Sequence, residues 1–186
     1  EIARTVRDGD ADACITGDLP ARARTPLPDK SVWQSVVVSM FLHGDWFHLV
    51  GNMVFLWVFG NNIEDHLGVL RYLGFYVLAG VVATAAHVLL QLDSTVPLVG
   101  ASGAIAGVMG AYLVWFPWAR VRTLIILGII PVWPRLPAAL PLAVWFLLQF
   151  VTDPNSGVAW AAHVGGFAFG VLMALVVRAD PHFRNR

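Results

Sequence analysis

Residues 159–177 read AWAAHVGGFAFGVLMALVV, an unbroken apolar and small-residue run whose one ionisable side chain is His163. A helix rises about 1.5 Å per residue, so this run is long enough to match a hydrocarbon core of about 30 Å. The rest of the chain has the same character. Of 186 residues, 58% are hydrophobic and 13% charged, with a mean hydropathy of +0.68. A soluble domain is about 45–50% apolar and about 25% charged. The excess lies in long runs, so the expected fold is all-α, a polytopic transmembrane helical bundle.

Working outward from 159–177, five spans are expected. They run roughly over 47–63, 70–92, 102–117, 136–151 and 159–177. Residues 1–31 are polar, rich in Arg, Asp and Pro, and read as a loop or tail. Residues 32–47 look like an interfacial approach, with Trp33, Trp46 and Phe47 suited to the headgroup belt. Residues 123–133 are apolar but too short to cross, and Pro131 and Pro134 break them, so an interfacial segment is expected there. TDPNSG at 152–157 reads as a turn. The domain plan is therefore a tail over 1–31, a membrane domain over 32–178 and a second tail over 179–186.

Charge sets the expected orientation. Arg71, Arg120, Arg122, Arg135, Arg178, Arg184 and Arg186 fall on one side of these spans, and beyond residue 32 the other side receives no Arg or Lys. By the positive-inside rule the Arg-rich side is cytoplasmic, which puts the C-terminus inside, in a multi-pass cell-membrane protein.

Polar groups inside such spans are costly and are functional hypotheses by default. Ser102 stands in GASGAIAGVMG (100–110), and His48 and Asn52 in HLVGNMVFLWVFG (48–60). Counted from the cytoplasmic boundary, His163 lies roughly 22 Å up, Ser102 roughly 21 Å and Asn52 roughly 18 Å, with His48 one turn higher. Three separate spans thus place four polar residues in one layer. Ser102 offers a nucleophile, and His163 a base, because burial favours the neutral imidazole that a base needs. His48 and Asn52, four apart, share a helix face and can donate to an oxyanion together with the Ser102 amide at a helix N-terminus. Gly100 and Gly103 flank the serine. Ala162, Gly166, Gly170 and Ala174 face the stripe Gly103, Gly107 and Ala111 if the third and fifth spans pack closely. The pattern suggests hydrolysis of a peptide bond within a membrane, with its site opening to the extracytoplasmic side.

Each residue also has a plainer reading. Ser102 could be a helix cap, His163 a structural histidine, and His48 with Asn52 the capping groups of a span mouth. Asp45, Asp93 and Asp153 read as solvated loop residues rather than a third catalytic group, and Glu64 as structural. His66 and His182 read as surface residues, and His87 has no assigned role. No metal site is expected: HExxH is absent, and His43 with His48 lacks a carboxylate at ligand spacing. No cofactor is implied. Cys14 is the single cysteine, so no internal disulfide can form. No basic patch with interleaved aromatics is present, which argues against nucleic acid as a partner.

HLVGN, GASGAIAG and AHVGGFAFG, in that order on three spans, resemble the rhomboid intramembrane serine proteases over roughly residues 32–178. FLHGDWFH before the first motif and NNIEDHLG after it add to the likeness. The resemblance implies a Ser102–His163 dyad, an oxyanion site from His48, Asn52 and the Ser102 amide, and cleavage of transmembrane protein substrates near their outer end. It also implies a six-helix core, so a further span is expected upstream of Glu1. Some members carry an aromatic residue four positions after the nucleophile. Here that position is Ala106, so another side chain must cover His163. A non-catalytic relative that binds transmembrane clients, and a small channel lined by His48, His87 and His163, are the alternatives.

Overall fold

The computed structural model describes residues 31–92, 98–151 and 158–179. Expectations for Cys14, Asp93, the turn at 152–157 with Asp153, and the tail with His182, Arg184 and Arg186 lie outside these residues. Two compact units separate, Glu1–Ser35 and Val36–Arg186. Of the first, only residues 31–35 are described. There the Ser31 hydroxyl accepts from the Gln34 amide (3.4 Å) and caps helix α1, Val32–Ser39.

The second unit is mainly helical. Helix α2, Trp46–Phe55, begins at Asp45, whose carboxylate accepts from the His48 amide at 2.8 Å. Asp45 is thus an N-cap rather than a loose loop residue. A π-turn over Leu56–Gly60 carries α2 into α3, Asn61–Leu67, without leaving right-handed helical backbone. Helices α4, Val69–Leu90, and α7, Trp160–Ala179, are long and apolar enough to cross a membrane. They match the second and fifth expected spans closely. Helix α5, Ser102–Trp115, and the stretch Ala139–Val151, made of α6, Ala139–Leu148, and a 3-10 turn, Gln149–Val151, are apolar but shorter. Large apolar side chains stand outward on α4 and α7, such as Leu70 (85% exposed) and Leu172 (61%), as a lipid-facing surface requires.

The all-α expectation needs one correction. Residues 120–137, which include the segment expected to be interfacial, form an antiparallel hairpin. Strand β1, Arg120–Arg122, pairs with β4, Arg135–Pro137, and β2, Ile125–Leu127, with β3, Ile130–Val132. The two ladders share one register, and Thr123 N donates to Pro134 O (2.9 Å) between them. A two-residue turn closes the hairpin, with Gly128 at φ +64°, where a side chain would be strained. Pro131 is compatible with an edge strand, Pro134 faces Thr123 without an amide to return its bond and so divides the pairing into two ladders, and Val121, Ile125, Ile126 and Ile130 favour extended backbone. Leu136, expected to open the fourth span, lies in β4 instead, and α6 begins three residues later.

Helix α5 is the buried centre: every residue from Gly103 to Tyr112 is buried. It packs against both α4 and α7, which also touch each other, and glycine makes this possible. A Cβ on Gly166 would strike the Gly103 carbonyl, and one on Gly170 the Gly107 carbonyl. On the other side, Gly103 and Gly107 accept the methyl groups of Ala83 and Ala79. Backbone-to-backbone packing of this kind sets α5 directly against α7.

Candidate active site

Glycine packing brings the first residue of α5 against the first turn of α7. Ser102 Oγ lies 2.8 Å from His163 Nε2. On the other side of the imidazole, His163 Nδ1 lies 2.8 Å from Gln149 Oε1. The Gln149 amide nitrogen donates to the Trp145 carbonyl (2.9 Å), which can only accept. That contact turns the amide oxygen toward His163. Nδ1 therefore carries the proton, and Nε2 presents its lone pair to the serine hydroxyl. A serine with this neighbour can be deprotonated as it attacks.

Ser102 also opens α5, so its amide and those following it lack helical acceptors and carry the positive end of the helix dipole. Before it, Gly100 adopts φ +119°, a conformation open to glycine, and its amide donates to the Ser39 carbonyl (2.9 Å). The bare Cα of Gly100 leaves room for the His48 ring: an added Cβ would stand 2.8 Å from His48 Nε2 and 3.6 Å from Asn52 Nδ2. The Gly44 amide donates to His48 Nδ1 (3.4 Å), which leaves the proton on Nε2, facing the site. Asn52 is buried, and its Nδ2 has no hydrogen-bond partner among the described residues. Ser102, His163, His48 and Asn52 all line one cavity of about 210 Å³, with Trp145 and Phe55 among its apolar walls. It is an apolar slot with a few converging polar groups.

The space beside His163 left by Ala106 is covered from α6. The Trp145 ring lies 5.6 Å from the imidazole, tilted by 40°. Sequence reasoning missed Gln149, because it sought a carboxylate as third group. The available signal was a lone amide at the end of an otherwise apolar run, one turn after Trp145. His87 is buried on α4 and does not line this cavity. His66 is half-buried, with its ring against Trp115 (4.4 Å between ring centres) and Phe116.

A family model describing the rhomboid domain matches residues 29–180. The chain belongs to the rhomboid family. It is 31% identical over 150 residues to Rhomboid protein 1, mitochondrial, of Saccharomyces cerevisiae, covering 74% of this chain and 40% of that protein. It is 30% identical over 165 residues to Rhomboid protease AarA of Providencia stuartii, covering 81% and 58%. RHOMBOID-like protein 5 of Arabidopsis thaliana is 28% identical over 170 residues, covering 89% and 50%. The chain thus spans about half the length of the curated relatives it matches. Rhomboids are membrane proteins, which agrees with the apolar, outward-facing helices.

Proposed function

We propose that this rhomboid is an intramembrane serine endopeptidase that cleaves transmembrane protein substrates near their outer end. The observation that carries the reading is the 2.8 Å contact between Ser102 Oγ and His163 Nε2, with the imidazole tautomer set by Gln149. Ser102 attacks the scissile carbonyl as His163 takes its proton. The resulting oxyanion is held by the Ser102 amide, His48 Nε2 and Asn52 Nδ2. His163 then gives its proton to the departing amine, leaving an ester on Ser102. Water, deprotonated by His163, attacks the ester, and His163 returns that proton to Ser102 Oγ as the new carboxylate leaves. Gly100, Gly103, Gly166 and Gly170 support the site by admitting His48 and by letting α5 and α7 touch. The name of the Providencia relative, a rhomboid protease, points the same way.

In this reading, 32–178 is the membrane domain and 1–31 and 179–186 are tails. The continuous path from Trp46 to Leu67, together with α4, α5, Ala139–Val151 and α7, makes five spans. The Arg-rich side faces the cytoplasm of a cell membrane and the site opens outward. Labelling by a fluorophosphonate probe tests the chemistry. Wild type should react and also cut a reporter transmembrane substrate, whereas Ser102→Ala and His163→Ala should do neither while still inserting. Retained cleavage in either variant refutes the assignment.

A further inference from the structure

The hairpin over 120–137 is not part of the site, and its two faces differ. Cross-strand partners and residues two apart share a face of a sheet. Arg120, Arg122 and Arg135 therefore lie together on one face of the stem, with Arg122 directly opposite Arg135. Continuing toward the turn, the same face carries Leu124, Trp133 and then Ile126. All six of these side chains are exposed. The opposite face carries no charge and is half-buried along most of its length, and Val121 there packs on the helical core. The outward face is thus graded from cation through tryptophan to aliphatic over a distance of about 20 Å.

Like charges set opposite one another in a ladder repel. Residues 116–140 contain no Asp or Glu to offset them. The stem is also held at a fixed level. Ala138 N donates to Ala119 O (2.8 Å) and Ala139 N to Pro117 O (2.9 Å), which ties its base to the end of α5 and the start of α6. In this register the amides of Thr123 and Ala138 point inward, so residues 131 and 137 point theirs to the outer edge. Both are proline, which removes two donors that would otherwise lie unpaired along that edge. The remaining edge groups keep the ribbon out of the hydrocarbon centre, where unpaired backbone is prohibitive, and at the headgroup level.

We propose that this hairpin is a binding surface for anionic phospholipid in the leaflet where α5 ends and α6 begins. The three guanidinium groups take the headgroup phosphates, Trp133 lies at the interface, and the Ile126–Ile129 tip dips among the upper acyl carbons. The proposal rests on the chain being in a bilayer and not on any peptidase activity.

The test places an environment-sensitive fluorophore at the tip, as Ile129→Cys in a Cys14→Ser background. The full chain is reconstituted in phosphatidylcholine vesicles with and without phosphatidylglycerol. Spin-labelled lipid should quench the fluorophore and aqueous iodide should not, and phosphatidylglycerol should strengthen the lipid quenching. Each guanidinium is worth about fivefold in lipid partitioning, so R120Q/R122Q/R135Q should lose the preference for phosphatidylglycerol. The matching Lys triple should keep most of it, and salt should weaken it in the parent. The Lys variant separates loss of charge from loss of fold. Iodide quenching in both lipid mixtures would place the tip in water and overturn the proposal. Lipid quenching indifferent to phosphatidylglycerol and to the three arginines would leave an apolar anchor only and overturn it as well.

Discussion

Gln149 Oε1 and His163 Nδ1 stand 2.8 Å apart, and the glutamine is held there by its own bond to the Trp145 carbonyl. A neutral amide thus occupies the place where a carboxylate orients the histidine of many soluble serine hydrolases. An amide fixes the tautomer without placing a full charge in an apolar slot, where an unpaired carboxylate would be costly. The price is weaker stabilisation of the imidazolium that forms as Ser102 attacks.

Gln149→Leu should therefore lower kcat with little change in KM, because the amide touches the histidine and not the substrate. Losing the bond leaves the Nδ1–H of the forming imidazolium without its acceptor, worth about 1–3 kcal/mol, or about 5- to 160-fold in rate. Gln149→Glu, which restores an acceptor, should recover part of the loss as pH rises through the range where that carboxyl ionises. Steady-state kinetics on a reporter substrate in detergent checks both. Equal rates in wild type and Gln149→Leu would remove the glutamine from the mechanism.

Asn52 gives an opposite pairing of activity and stability. Its Nδ2 is buried without a partner, so the folded state already bears the desolvation of that donor. Asn52→Ala should cost about 10²–10³ in kcat, the usual loss for one oxyanion donor, while unfolding stability changes by less than about 1 kcal/mol. His48→Ala should show a similar kinetic loss but should also loosen the Gly44 turn that its Nδ1 holds. Cleavage rates set beside thermal unfolding curves separate the two. A large stability loss in Asn52→Ala with unchanged kcat would make Asn52 a structural residue.

The bundle was legible because span-forming runs and small-residue stripes are local patterns. GASGAIAG and AHVGGFAFG each announce a face that must meet another backbone, and α5 and α7 do meet there. The hairpin was not legible in the same way. Pro131 and Pro134 exclude a helix with equal force whether the chain becomes a strand or an irregular loop, and two-stranded pairing depends on a register that no single segment displays. Asp45 shows the same limit. A carboxylate before an apolar run is both a plausible loop residue and a cap, and only the bond to His48 N decides. Gln149 was hidden because its role depends on the return of α6 beside α7, a relation between distant segments.

The glycine contacts make the sharpest stability prediction. Gly170→Ala drives a methyl group into the Gly107 carbonyl, and Gly166→Ala into that of Gly103. Backbone cannot swing aside as a side chain can, so the helices must part. Overpacking of this kind costs about 1–3 kcal/mol. Separation at Gly166 should also lengthen the Ser102–His163 contact, since Gly166 lies one turn beyond His163. Gly166→Ala should thus lose activity as well as stability, whereas Gly170→Ala, a turn further away, should lose mainly stability. Gly74 on α4 is the control: nothing lies within 4 Å of its added Cβ. Gly74→Ala should be neutral or stabilising by up to about 1 kcal/mol, because alanine is the better helix former. Thermal unfolding in detergent, read beside probe labelling of Ser102, orders the three variants. Equal stability of Gly170→Ala and Gly74→Ala would mean that α5 and α7 do not pack backbone to backbone.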